Sequence, residues 1–221
     1  MIIRMGIIPI PIPMTDLGAL QRLFSWLSPA YPVGGFAYSH GIEQVIADGW
    51  LTGPEQVRDW IADILHHGAG RNDTILLAHA WRGEDVTDLA LALAGCAERR
   101  RETAEQGTSF ARTLSAVEGA LPAAPYAVVI GQAAARAGLP LPETLVIFLQ
   151  AFAMNLITAC IKSVPIGPAE GQRVLSDLLP LIRQVTAEAQ AATLDDLGSS
   201  TFRADLAAIR HETLQPRIYR T

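Results

Sequence analysis

The 221-residue sequence predicts an all-α protein, a single-domain bundle of about nine or ten helices. Apolar residues recur at intervals of three and four along most of the chain, and prolines and glycines separate these runs. No segment shows a convincing alternation of apolar and polar residues, the pattern of a half-buried strand. Half of the residues are hydrophobic and only 18% are charged, so the chain can bury a core without disulfide bonds.

The first half of the chain contains five predicted helix starts. In chain order they are Thr15 or Asp16, Ser39, Thr52, Asn72 or Asp73, and Asp85. The third has the pattern of a capping box, Thr52-Gly-Pro-Glu55, with proline in the first turn. Ser28–Pro29 should end the first helix, and Gly49 suits the left-handed cap that ends the second.

Five helical segments are predicted in the second half. They comprise a segment from the charged stretch Glu98–Glu105 to Val117, then Tyr126–Ala137, Thr144–Ile161, residues 174–192, and Phe202–His211. Pro180 should kink the fourth of these segments or divide it, because proline removes a helical hydrogen bond.

Residues 1–14 form an apolar, proline-rich N-terminal segment. Pro9, Pro11 and Pro13 alternate where a signal peptide would need a helical apolar region, so the sequence does not favour a signal peptide. The pattern instead predicts an extended arm in a polyproline-like conformation. The arm would lie along a partner or along the second subunit of a dimer, and an unstructured tail is the alternative.

The segment Thr144–Ile161 is apolar and about as long as the shortest membrane spans. Polar residues interrupt it, and Asn155, Thr158 and Lys162 share one helical face. A single span in the middle of a small domain would also place its halves on opposite sides of a bilayer. We therefore predict a central helix of a soluble bundle, with a single-span membrane protein as the less favoured alternative.

The charge balance and the cysteines restrict the function classes. The formal net charge is −5 and the calculated pI is about 5.5, whereas nucleic-acid and anionic-membrane binders usually carry basic excess. Cys96 and Cys160 lie in unrelated contexts and suggest neither a disulfide framework nor a zinc cluster. We expect a cytoplasmic protein with reduced thiols that binds neither nucleic acid nor membrane.

Few residues are arranged for chemistry. His40-x-x-Glu43 places two potential metal ligands on one helical face, but two ligands are too few for a closed site. A metal-dependent enzyme that uses His40 and Glu43 is the alternative interpretation. Arg99–Arg101 and the glutamates that follow are expected to form a solvated, salt-bridged face. With no phosphate-binding loop or nucleophile motif visible, the chain is predicted not to be an enzyme.

Lys162 is the only lysine in the sequence, beside sixteen arginines. It can stabilise the C-terminal end of its helix, where a positive charge is favourable. Alternatively, a compact ammonium group is needed there for contact with a subunit or a nucleotide-binding protein.

The stretch Leu27–Glu43 reads LSPAYPVGGFAYSHGIE. It resembles the N-terminal signature of the urease accessory protein F (UreF) family, in which prolines, glycines and aromatic residues precede Ser-His-Gly-aliphatic-Glu. The residues that fit the signature are Ser28, Pro29, Tyr31, Pro32, Gly34, Phe36, Tyr38, Ser39, His40, Gly41 and Glu43.

Two later stretches are similar to the same family. Lys162–Gly167 with Gly171-Gln172 resembles its Val-Pro-Leu-Gly-Gln segment, although Pro168 replaces a frequent glutamine. Residues 208–213 with 217–220 resemble its terminal Arg-His-Glu-Thr and Arg-Leu-Phe-Arg pattern. The order and spacing of all three stretches hold across nearly the whole chain.

The resemblance implies a cytosolic, all-helical homodimer that acts as a chaperone for nickel insertion into apo-urease. Its partners would be the G-type urease accessory GTPase and the D/H-type accessory protein, with apo-urease reached through the complex. Gating or coupling of GTP hydrolysis to metal transfer is implied, without a stably bound cofactor. Whether nickel in transit passes through this chain is left open.

The resemblance and the sequence together predict an arm (1–14), a helical domain (15–211) and a partner-binding tail (212–221) that orders on the D/H-type protein. The predicted partner-binding residues are Tyr31, Phe36, Tyr38, Ser39, His40, Glu43, Lys162, Gln172, Arg210, His211, Glu212, Arg217, Tyr219 and Arg220. Phe36 could instead fill a pocket of its own subunit. No catalytic or metal-binding residue is predicted.

Overall fold

A computed structural model describes residues 16–221, so the predicted arm at 1–14 lies outside the described residues. The chain forms one compact all-α domain, as predicted, and no β-strand occurs in the part described. The first five helices are α1 (Leu17–Trp26), α2 (Ile42–Ala47), α3 (Pro54–His67), α4 (Ala69–Trp81) and α5 (Thr87–Ala92). The next five are α6 (Ala97–Glu118), α7 (Tyr126–Arg136), α8 (Leu141–Ser163), α9 (Pro168–Ala191) and α10 (Phe202–His211). Short 3₁₀ turns occupy Gly35–Ala37 and Leu194–Asp196.

Helix α8 is the central helix of the bundle. Its first half packs with α1, α4, α6 and α7, and its second half packs with α2, α3 and α9. It is long and apolar enough to cross a bilayer, but half of its most apolar 18-residue window is buried against the subunit's own helices. This packing supports the prediction of a core helix, because the apolar length is explained by burial on two sides.

The contact between α4 and α7 depends on a very close backbone approach. A Cβ atom at Gly131 would lie 2.4 Å from the carbonyl oxygen of Leu77. Only glycine fits there, and the short alanine-rich α7 thereby lies directly against α4.

Several predicted helix boundaries are wrong for identifiable reasons. Helix α4 begins at Ala69, so Asn72 lies inside it. The Asn72 side chain does not cap the helix, because its oxygen accepts a hydrogen bond from the Gly198 N–H group at 3.0 Å. Helix α3 begins after Gly53 without a side-chain cap, so the predicted capping box at Thr52 does not form. Pro180 lies inside one continuous α9 and does not divide it.

Candidate functional site

The C-terminal tail, residues 212–221, lies against its own subunit. The Ser39 N–H group donates to the carbonyl oxygen of Thr221 at 2.8 Å, and the Arg220 N–H group donates to Ala37 at 2.7 Å. Tyr219 and Thr221 are buried. The two C-terminal residues therefore pair with the segment just before α2, and the first and third family-like stretches form one site.

Glu43 holds the tail from α2. Its carboxylate accepts hydrogen bonds from the N–H groups of Ile218 (2.7 Å) and Tyr219 (2.8 Å), and His211 Nε2 lies 3.1 Å away. Burial alone would raise the pKa of Glu43, but the Tyr219 N–H group, His211 and the Ile218 N–H group together lower it. The ionised carboxylate is thus the form that anchors the tail.

His211, the last residue of α10, lies between two carboxylates. Its ring is fully buried, and Nδ1 lies 2.7 Å from Glu98 Oε2 on α6, opposite the contact with Glu43. Arg217 of the tail contacts the other oxygen of Glu98. Because polar groups of α2, α6, α10 and the tail are paired with one another here, removal of one partner leaves another polar group without its hydrogen bond.

The end of α10 also approaches α2 very closely. Gly41 has φ +75°, and a Cβ atom there would lie 2.6 Å from the backbone nitrogen of Ala208. His40 is likewise left-handed, with φ +53°, which is uncommon for a non-glycine residue. Because His40 and Gly41 are both left-handed, α2 begins only at Ile42, and the His40 ring is buried.

His40 belongs to a second buried charge cluster, shared with α6 and α4. Its Nε2 atom lies 2.9 Å from Glu102, which also binds Arg99 at 2.7 Å, and Arg99 reaches Asp73 at 3.3 Å. Burial and the nearby Arg99 charge lower the pKa of His40. Burial would raise the pKa of Glu102, but the Arg99 charge and His40 lower it to about 2. The predicted solvated face is therefore wrong for Glu102, which is buried, and for Arg99, whose side chain is only 12% exposed.

The predicted aromatic residues have three different environments. The Tyr38 hydroxyl donates to Glu105 at 2.7 Å, and burial together with this bond raises the pKa of Tyr38 to about 12. Tyr31 packs on Phe110 with ring centroids 5.3 Å apart. Phe36 alone is largely exposed, at 69%, so it does not fill a pocket of its own subunit.

The second family-like stretch reaches the site through Lys162. Its ammonium group lies over the Tyr219 ring, 5.6 Å from the ring centroid. Asn155, two helical turns earlier on the same face of α8, donates to the carbonyl oxygen of Gly35 at 2.9 Å. Gln172 is exposed on α9, and no side-chain hydrogen bond joins it to another described residue.

The remaining predicted residues, Arg210 and Glu212, hold the C-terminal end of α10. Arg210 makes a bidentate contact with Asp48 at 2.8 and 3.2 Å. Glu212 accepts from the Ala97 N–H group at the start of α6 (2.9 Å), where a negative charge is favourable.

The sequence prediction missed the acceptor groups of α6. Glu98, Glu102 and Glu105 are spaced at i, i+4 and i+7, and they contact Arg217, His40 and Arg220 respectively. The helical spacing of the three glutamates was visible in the sequence. The partners of these glutamates could not be predicted, because they are distant in the sequence.

His40 and Glu43 do not act together. His40 faces Glu102, whereas Glu43 faces the tail and His211. Within residues 16–221, no group of three or more histidine, cysteine, aspartate or glutamate side chains is arranged to hold a metal ion. The geometry therefore defines the class of protein as a helical domain in which a network of polar side chains positions the C-terminal tail.

Comparison with known proteins identifies the family. The UreF family model matches residues 51–179. A urease accessory protein UreF from Cereibacter sphaeroides is 54% identical over 207 residues, covering 92% of this chain and 99% of the relative. Relatives with the same name from Roseobacter denitrificans and Rhodopseudomonas palustris are 45% and 42% identical; the matches cover 92% and 96% of this chain, and 94% and 96% of those relatives. The chain belongs to the UreF family of urease accessory proteins.

Proposed function

We propose that this urease accessory protein acts as a non-enzymatic adaptor in the cytoplasm. It would join a G-type accessory GTPase and a D/H-type accessory protein in the complex that inserts nickel into apo-urease. Nickel is the cargo of that complex, and the chain itself would couple GTP hydrolysis to metal transfer by docking.

The observation that carries this proposal is the way in which the tail is held. Glu43 binds the backbone N–H group of Ile218, while the Ile218 side chain is 83% exposed. Leu206 and Ile209 of α10, the helix that leads into the tail, are also exposed apolar residues. A backbone fixed from inside with apolar side chains directed outward is suited to docking, since little entropy is lost on binding.

We assign this α10–tail surface to the D/H-type partner. Leu206 and Ile209 are close to Arg210 along α10, and Ile218 is close to Arg220 along the tail. Both arginines are exposed and are paired with carboxylates of the same subunit. Exposed apolar residues rimmed by charged groups are typical of interaction sites. Lys162 contributes indirectly, by stabilising the Tyr219 ring beneath the surface.

We assign a second surface, around Phe36, to the homodimer. Phe36 borders a cavity of about 130 Å³, which is also lined by Pro29, Val33, Phe152 and Met154. The lining also includes Arg99 and Glu102, so the cavity is only partly apolar. An exposed aromatic ring beside the apolar part can insert between the same groups of a second copy, which is the self-complementary arrangement of a two-fold dimer.

Single substitutions test the α10–tail surface better than truncation does. Deleting the tail would remove the buried Tyr219 and both backbone N–H groups that donate to Glu43, so it would also disturb the subunit. Leu206→Asp and Ile218→Asp change exposed side chains only. Val117→Asp, at the end of α6, is the matched control because Val117 is 80% exposed.

The measurement is co-elution of each variant with the D/H-type protein on a sizing column. We expect Leu206→Asp and Ile218→Asp to abolish the complex and Val117→Asp to retain it. Retention by all three variants would remove this surface from the proposal. Loss with Val117→Asp as well would show that the effect is not specific to the surface.

A further inference from the structure

A cavity of about 100 Å³ lies between α4, the segment that joins α5 to α6, and the first half of α10. It differs from the cavity beside Phe36, although Asp73 and Arg99 line both of them. Its other polar lining residues include Asn72 and Asp205, and the apolar part of its lining consists largely of alanine side chains. A cavity of this size holds several water molecules or one organic molecule of a few non-hydrogen atoms.

Three polar groups of this lining have no hydrogen-bond partner within residues 16–221. Asn72 is only 6% exposed, and its oxygen accepts from the Gly198 N–H group, which leaves its NH₂ group without an acceptor. Asp73 binds Arg99 through one carboxylate oxygen at 3.3 Å, and its other oxygen has no donor. Arg99 uses only its terminal nitrogens for its partners, so its Nε–H group is unused. The lining therefore offers two donors and one acceptor.

The Asp73 carboxylate is the acceptor that is available in the cavity. Burial raises the pKa of Asp73, and the Arg99 charge only partly opposes this effect. An N–H group of a bound molecule would therefore stabilise the carboxylate. Asp205 has no such need, because it accepts a hydrogen bond from the Ser199 hydroxyl group at 2.7 Å.

The arrangement of these groups matches a small neutral amide such as urea. The carbonyl oxygen of an amide accepts hydrogen bonds, and its N–H groups donate them. An anion would meet the carboxylates of Asp73 and Asp205 against the single guanidinium group of Arg99. A metal ion would find no group of three ligands among the described residues.

We propose that the cavity binds a neutral amide of a few non-hydrogen atoms. Its carbonyl oxygen accepts from the Asn72 NH₂ group and the Arg99 Nε–H group, and one of its N–H groups donates to Asp73. This binding is independent of the adaptor role, because the amide contacts no residue of the α10–tail surface.

The chain contains only two asparagines, Asn72 and Asn155, which makes a direct test possible. Selective ¹⁵N labelling of asparagine side chains in the full-length protein therefore gives one NH₂ signal from each. Asn155 donates to the Gly35 carbonyl oxygen and is the internal control. Urea would be added up to about 50 mM, far below the concentrations that unfold proteins. The Asn72 signal should shift with a midpoint of roughly 1–10 mM, because so small a ligand binds weakly.

Two alanine positions provide matched variants. Ala94 lines the cavity, whereas Ala92 is exposed and does not line it. Ala94→Leu should fill the cavity and abolish the urea-dependent shift, and Ala92→Leu should retain it. Asp73→Asn removes the charged acceptor and should raise the midpoint by about tenfold.

Acetamide, acetate and guanidinium distinguish the chemical classes of ligand. Acetamide should shift the Asn72 signal as urea does, and acetate and guanidinium should not shift it at the same concentrations. No Asn72 shift with urea or acetamide would leave the cavity to water and overturn the proposal. A shift with acetate or guanidinium alone, equal shifts of Asn72 and Asn155, or a shift that persists in Ala94→Leu would overturn it as well.

Discussion

Glu43→Gln is the most informative perturbation of the tail site. The carboxylate accepts two backbone N–H groups at 2.7 and 2.8 Å and lies 3.1 Å from His211 Nε2. Glutamine has nearly the same shape, but its amide offers one acceptor oxygen, and its NH₂ group would face a donor. Charge-assisted hydrogen bonds contribute about 1.5–3 kcal/mol each, so losing the equivalent of two at the lower value costs about 3 kcal/mol.

A cost of about 3 kcal/mol corresponds to a roughly hundredfold larger population of detached tail. Trypsin can cleave after Arg217 only when the tail is detached, and release of residues 218–221 is visible by intact mass spectrometry. When opening is fast, the cleavage rate follows the open population. We therefore expect cleavage to accelerate by about two orders of magnitude.

Glu55→Gln, an exposed site in the first turn of α3, is the matched control and should leave the rate unchanged. Circular dichroism and urea unfolding would verify that the domain itself stays folded. A Glu43→Gln rate close to that of the control would refute the conclusion that Glu43 anchors the tail.

Three further predictions follow from the site. The pKa of Glu102 is lowered from 4.5 to about 2 and that of His40 is lowered from 6.5, so both groups stabilise the folded state at pH values above their ordinary pKa. The urea midpoint should therefore decrease as pH falls below 6.5, and each titrating group contributes at most about 1.4 kcal/mol per pH unit. A urea midpoint that does not change between pH 6.5 and 3 would contradict this. Gly41→Ala should destabilise the folded protein by about 2 kcal/mol or more, because Gly41 has a left-handed φ and a Cβ atom there would lie 2.6 Å from the Ala208 backbone nitrogen. An unchanged urea midpoint would exclude that close approach. Lys162→Ala should reduce the free energy that holds the tail on the domain by about 0.5–1 kcal/mol, and Lys162→Arg should not. Equal rates of trypsin cleavage at Arg217 in both variants would indicate that Lys162 only caps its helix.

The sequence predicted the helices well where local periodicity determines them. Helix α10 begins and ends as expected, at Phe202 and His211, because an apolar stripe and flanking turn residues coincide there. The starts of α2 and α4 were mispredicted because Ser39 and Asn72 make tertiary contacts with Thr221 and Gly198. Such contacts join positions more than a hundred residues apart, and periodicity contains no information about them.

Most of the residues that meet around the tail can be named from the sequence, but their arrangement cannot. The tail was expected to become ordered on a partner, whereas the structure places it on Glu43, Glu98 and Glu105 of its own subunit. The partner-binding role of these residues remains a prediction. It now rests on the exposed side chains that the tail and α10 present, such as Ile218.

Activation of apo-urease in a reconstituted system tests the central claim most directly. Purified apo-urease, the D/H-type protein, the GTPase, nickel and GTP would be combined with and without this chain, and urease activity would be measured. We predict substantial activation only when the chain is present, and little activation with Ile218→Asp. Equal activation without the chain would contradict the proposed role of an adaptor in nickel insertion.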